Sequence, residues 1–186
     1  MADSDRKIHD SQTLVDGNLL AAKAFAAAGV TLMFGVVGIL VTSFAKRAVS
    51  ILICFLAFHN EQWAGYAASA YGYLTGKADL LLIVSGHGCV QGLAGLSNAT
   101  ANAWSVVMIS GSCNQADFGR GDFQKLDKVA AVEPFSKFSA KATDISQIPK
   151  SLFKVLDQAL SGRRLVLDLS NDILHQTVSL SEAEGL

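Results

Sequence analysis

The sequence predicts an α/β protein with a doubly wound, mainly parallel sheet and helices on both faces, and three observations point there. Short apolar runs recur along the chain, among them Ile51–Phe58, Leu80–Val84 and Leu165–Leu169. Such runs mark strands covered on both sides. Between them lie Ala- and Gly-rich stretches of helical length, so strand and helix alternate. Two of the strands open into glycine-bearing turns, Gly35-Val36-Val37-Gly38 and Ser85-Gly86-His87-Gly88. In open α/β sheets, turns at the carboxyl ends of strands are where ligands bind.

In chain order, residues 1–12 read as a disordered lead-in and residues 13–180 as a single domain. Gly17 to Ala28 is an Ala-rich helix, capped by Asp16 and ended by Gly29. Thr31 to Phe34 is a first strand, and a short helix near Thr42 to Ala48 follows its Gly turn. Ile51 to Phe58 reads as a central strand, with Glu61 at its carboxyl end. Gln62 to Tyr73 is a helix whose small residues allow close packing. Leu80 to Val84 is a third strand, and a helix runs from about Val90 to Ala101. Ser105 to Ile109 is a fourth strand, with a polar loop through Asp122. A short helix near Gln124 to Val129 and an extended stretch from Phe135 to Ala140 come next. The helix Ile148 to Leu160 and the strand Leu165 to Leu169 complete the pattern.

Composition narrows the function. Of 186 residues 51% are hydrophobic and 17% charged, with a formal net charge of −1, so neither nucleic acid nor an anionic membrane is an expected partner. Roughly 22 residues pass without a charge between Lys23 and Lys46, long enough to span a bilayer. Gly29, Gly35 and Gly38 interrupt the stretch, so helix, turn and strand describe it better than a membrane span. Cys54, Cys89 and Cys113 are widely spaced and read as reduced thiols. They and the four histidines have no ligand spacing, and no metal site is expected.

Two readings of Glu61 stand side by side. Asn60 is a good N-cap, and an acid in the first helical turn gains about 0.3–1 kcal/mol from the helix dipole. Alternatively the carboxylate faces a ligand cleft. The segment Ser85–Gly95, SGHGCVQGLAG, lacks the spacing of a dinucleotide fingerprint and reads as a close-packing turn. Cys89 reads as a buried structural thiol, and Gly119–Phe123 as a solvated turn.

Several stretches taken together resemble one family. FGVVGI (Phe34–Ile39), AFHNEQ (Ala57–Gln62), AGYAASAYGYLTG (Ala64–Gly76), GLAGLSNA (Gly92–Ala99), MISGSC (Met108–Cys113) and GRGDFQ (Gly119–Gln124) are similar to the N-terminal, pyrimidine-binding domain of thiamine-diphosphate enzymes. The resemblance is to the 2-hydroxyacyl-CoA lyase and oxalyl-CoA decarboxylase branch, particularly in plants. It covers Asp16 to Leu174.

The resemblance implies that Glu61 is catalytic, pairing with a ring nitrogen of the cofactor's aminopyrimidine from a position shielded from water. It implies that Gly35, Val36, Val37, Ser85, Gly86 and Gly88 line the cofactor cleft. Gln62, Phe123 and Gln124 fall on the substrate side. Phe123 stands where the decarboxylases characteristically carry tyrosine, which favours the lyase branch. Thiamine diphosphate is the implied cofactor, held here by its pyrimidine half alone. The family's middle domain and its diphosphate-binding domain, with the Gly-Asp-Gly motif that takes Mg²⁺, have no counterpart in these residues. The implied partners are a second copy or a full-length subunit, with an acyl-CoA substrate only in the complete enzyme. The implied location is peroxisomal within a full-length member and cytoplasmic otherwise. The implied function is carbon–carbon cleavage of a 2-hydroxyacyl-CoA or oxalyl-CoA, with the isolated chain inactive; the alternative is a non-catalytic paralogue that pairs with full-length subunits.

Some positions depart from the family pattern. Leu40, His87, Ser105 and Ser170 stand where proline is usual, and only Pro134 and Pro149 remain. Lys125 replaces an acid. Trp63 replaces a small residue beside Glu61 and is expected to crowd the cleft.

Overall fold

The structure, a computed structural model, describes residues 14–77, 79–117, 119–121, 126–152 and 164–184. The expected lead-in of residues 1–12, the substrate-side residues Phe123 and Gln124, Lys125, and the later part of the helix expected over Ile148–Leu160 lie outside these.

The elements in order are β1 (Leu14–Asp16), α1 (Gly17–Ala27), β2 (Leu32–Gly35), α2 (Thr42–Ser50), β3 (Cys54–Ala57), α3 (Glu61–Thr75), β4 (Leu80–Ile83), α4 (His87–Asn102) and β5 (Val106–Ser112). Then come α5 (Lys128–Val132), β6 (Phe138–Ala142), a helix α6 seen over residues 147–152, β7 (Arg164–Ser170), α7 (Asn171–His175), β8 (Thr177–Ser179) and α8 (Leu180–Glu184). Single 3₁₀ turns occupy Gln115–Asp117 and Glu133–Phe135.

Six strands form one wholly parallel sheet in the order β3-β2-β4-β5-β7-β6. Along β4 the side chains alternate between two cores. Leu80 and Leu82 join α1, α2 and α7 through Phe25, Phe44 and Ile173 on one face. Leu81 and Ile83 join α3 and α4 through Ala64, Ala68 and Leu96 on the other. The doubly wound sheet with helices on both faces is therefore present as the apolar runs predicted. None of the described helices is long and apolar enough to cross a membrane; the uncharged stretch after Lys23 divides into the end of α1, β2, its turn and the start of α2.

The caps explain where helices begin. Asp16 accepts a 2.7 Å hydrogen bond from Leu19 N at the start of α1. The same carboxylate takes two hydrogen bonds from Arg47 of α2, at 2.6 and 3.1 Å, so one residue caps one helix and clasps another. Asn60 caps α3, its side chain accepting from Gln62 N and Trp63 N at 2.9 and 3.2 Å.

The main departure concerns Ile51–Phe58, expected as a buried central strand. β3 is four residues long and forms the edge of the sheet. Only Ile53 of the run is buried, and Leu52 is 88% exposed at a left-handed φ of 71°. The residues before Cys54 are spent turning out of α2, and β3 pairs on one side alone, with β2. A second departure is α4, which starts at His87, so Gly88 belongs to its first turn and not to the preceding loop. A small antiparallel pair, β1 with β8, was not expected and joins the two ends of the described chain.

Candidate functional site

From β2 the chain passes outward to β3 and returns across the sheet to β4. The strand order reverses there, and the carboxyl ends of β2 and β4 diverge at a topological switch point, where open α/β sheets bind ligands. The expected cleft residues gather at this edge. Gly35 ends β2 so close to β4 that a Cβ on it would stand 1.8 Å from the Leu82 carbonyl oxygen, while Val36 N donates to that oxygen at 3.1 Å. Val37 follows and is 36% exposed. Val84, just past β4, is the common neighbour of the two turns. A Cβ on Gly38 would meet its Cγ1 at 2.7 Å, and one on Gly88 its Cγ2 at 2.4 Å.

Glu61 reaches the same place from β3. It is half-buried in the first turn of α3, and its Oε1 would lie 2.8 Å from a Cβ on Gly88. Among the described residues its carboxylate has no hydrogen bond and no ion pair. The helix-end reading holds, with Asn60 capping α3 and Glu61 in its first turn, where the carboxylate lies against Gly88 of α4. Asn60 Nδ2 also donates to Gln91 Oε1 at 3.2 Å, tying the start of α3 to α4.

The two helices are held side by side by an uncommonly close contact. A Cβ on Gly95 would stand 2.2 Å from the Gly65 carbonyl carbon, and Ser69 Oγ donates toward Gly65 O and Gly95 O at 2.7 and 2.9 Å. The small residues expected to permit close packing thus set the distance between Glu61 and Gly88.

Ser85 and Gly86 are buried in the β4–α4 turn. Gln62 is exposed, with only its backbone engaged by Asn60. Trp63 does not crowd the cleft as expected: it is 66% exposed, on the outer side of α3. Cys89 is the inert thiol expected, since burial pushes its pKa up to about 11 against the opposing pull of Lys128.

Sequence reasoning missed Lys128, which is wholly buried beneath the Ser85 turn, 2.9 Å from Asp168 Oδ1. Its signal was Asp168 itself, a lone carboxylate in the apolar strand Arg164–Ser170, which burial obliges to find a cation. Among the described residues no group of three or more His, Cys, Asp or Glu side chains gathers to hold a metal.

The residues present suit an aminopyrimidine ring. Among the described residues the Glu61 carboxylate has no partner, and the turns after β2 and β4 approach with the glycine backbone of Gly35, Gly38, Gly86 and Gly88.

Comparison with known proteins agrees with that chemistry. Residues 16–131 match the family described as thiamine pyrophosphate enzyme, N-terminal TPP binding domain. A 2-hydroxyacyl-CoA lyase of Arabidopsis thaliana is 62% identical over 174 residues, covering 92% of this chain and 30% of that protein. One of Oryza sativa subsp. japonica is 60% identical over the same shares. An oxalyl-CoA decarboxylase of Escherichia coli (strain K12) is 35% identical over 178 residues, 94% of this chain and 32% of that one. The chain thus spans about 30% of the length of these relatives. It belongs to the thiamine pyrophosphate enzyme family, of which it carries the N-terminal TPP-binding domain.

Proposed function

We propose that this chain supplies the pyrimidine half of a thiamine-diphosphate site in a lyase that cleaves a carbon–carbon bond of a 2-hydroxyacyl-CoA, with oxalyl-CoA as the neighbouring substrate choice. The observation that carries this reading is the half-buried Glu61 carboxylate, without a partner among the described residues, against Gly88 at the switch point. When bound, thiamine diphosphate supplies the carbon nucleophile and electron sink for the cleavage. Glu61 would hold a proton between its carboxylate and a pyrimidine nitrogen, setting which ring tautomer is populated. Gly35, Val36 and Val37 would wall one side of the ring, and the Ser85–Gly86 turn and Gly88 the other. Mg²⁺ and the diphosphate would be held by a complementary polypeptide region.

A paired assembly is the second reading, favoured by the outer face of α3. Trp63, Tyr66, Tyr73 and Leu74 are 66, 42, 62 and 78% exposed, and Tyr73 stacks on Trp104 with ring centroids 4.9 Å apart. Such a face suits a second copy or a full-length lyase subunit. In size exclusion with the Arabidopsis lyase, co-elution supports the pairing and independent elution removes it.

The catalytic reading is tested by joining this chain to the remaining domains of that lyase. Glu61→Gln should cut turnover by at least about 100-fold, the lower range for a positioned acid–base group, while the protein stays folded. Turnover unchanged by the substitution would overturn it. The 186 residues alone are expected to show none.

A further inference from the structure

β4 leaves the sheet early. Its last ladder partner is Ile83, opposite Ser110, whereas β5 runs on beside β7 to the pair Ser112 and Ser170. Ser85 therefore lies two residues beyond the ladder, where β4 and β5 separate. Lys128, the first residue of α5, fills that gap from below. Its ammonium donates to Ser85 Oγ at 3.1 Å and to the Gly111 carbonyl at 2.6 Å. It stands 2.9 Å from Asp168 Oδ1 in β7, an ion pair whose geometry falls short of a hydrogen bond at that oxygen. All three partners are buried, and the ammonium has three N–H groups for three directions. Among the described residues a further tie across the gap runs from Ser110 Oγ, which donates to the Val84 carbonyl at 3.4 Å.

We propose that Lys128 is a positioning residue of the cleft: paired with Asp168, it pins the Ser85–Gly86 turn to the ends of β5 and β7. The inference rests on the thiamine reading for its relevance, because that turn is one wall of the proposed ring site. A buried ion pair is by itself weak evidence of stabilisation, since the cost of desolvating both charges offsets their attraction. What this pair adds is a third contact, at a point where the backbone has no ladder bonds left to hold it. The turn also carries Gly86 at a φ of 63° and ψ of −116°, a conformation that the surrounding structure has to impose.

The test uses the 186-residue chain without cofactor, and two variants. Ser85→Ala removes the turn's own contact. Lys128→Met combined with Asp168→Leu removes both charges at similar volume, a change that folds often tolerate. Urea unfolding reports overall stability, and ¹⁵N relaxation dispersion of the Gly86 and Gly88 amides reports alternative turn states. The double variant is expected to keep the urea midpoint and Ser85→Ala to lower it slightly, while in both the alternative state at Gly86 and Gly88 rises about tenfold, the loss of one charge-assisted hydrogen bond; Gly95, farther along α4, should not change. Unchanged dispersion at the turn would overturn the proposal, and so would broadening spread evenly over the chain, which marks a merely structural pair. If the double variant does not fold, Ser85→Ala decides alone. Because no cofactor is present, the result is separate from the Glu61→Gln test of the thiamine reading.

Discussion

The carboxylate of Glu61 and the backbone of Gly88 share one contact: Oε1 lies 2.8 Å from where a side chain on residue 88 would begin. The acid from β3's connection and the helix after β4 meet only because position 88 has no Cβ. Gly88→Ala should therefore move the carboxylate and press on Val84, whose Cγ2 would be 2.4 Å away. Overpacking of this kind costs about 1–3 kcal/mol, toward the low end here because both neighbours are side chains. In the chimaera with the remaining lyase domains, thiamine diphosphate titration should show weakened binding alongside a small loss in the urea midpoint.

Gly95→Ala is the harsher change. Its Cβ would meet the Gly65 carbonyl carbon and Cα at 2.2 and 2.4 Å, and backbone cannot step aside as a side chain does. We expect α3 and α4 to separate, with the Ser69 bridge lost and stability reduced by about 3 kcal/mol, the upper end for an overpacked site. Chemical denaturation monitored by circular dichroism measures it.

Asp79, at the foot of β4, is buried and accepts from Leu32 N at 3.2 Å. Burial raises its pKa above the ordinary 3.8, only partly opposed by the backbone hydrogen bonds from Leu32 and Thr31 and by Lys77. The folded state then binds the proton more tightly than the unfolded state, so this residue's contribution to stability is full below 3.8 and is lost as pH rises through the folded-state pKa. The stability difference between the unsubstituted chain and the Asp79→Asn variant should therefore shift in favour of the variant across that window and level off above it. Urea midpoints of both proteins, measured from acid to neutral pH, give the curve.

His87 is the first residue of α4, after the cap Gly86, and is exposed. Proline is favoured there because its missing N–H is one that the helix leaves unpaired. His87→Pro is expected to stabilise the chain by about 0.4–1 kcal/mol through the unfolded state, read as a higher thermal midpoint. Leu40 is the opposite case. Its φ of 77° cannot be reached by a proline ring, and Leu40→Pro should lower that midpoint.

Much of the fold was legible in the residues because it depends on local signals. Alternating apolar runs and small-residue helices, the caps Asp16 and Asn60, and the glycine turns each act over a few positions. What was not legible depends on neighbours distant in sequence. The run Ile51–Phe58 has the composition of a central strand, and only its place outside β2 makes it an edge. Glu61 could be seen as a first-turn acid from its own surroundings, but its contact with Gly88 comes from α3 and α4 packing glycine on glycine. Likewise Asp168 signalled a buried charge, while nothing local to Lys128 marked it as the partner.

The four residues of β4, Leu80 to Ile83, belong to both cores and carry no inside–outside code. Sliding the strand by one place would exchange one aliphatic set for another at little cost, so hydrophobicity does not choose its register. That choice falls to the polar residues at its two ends, Asp79 against Leu32 N and Ser85 against Lys128. This wholly apolar strand is thus indexed by a carboxylate and a hydroxyl, each set just outside it.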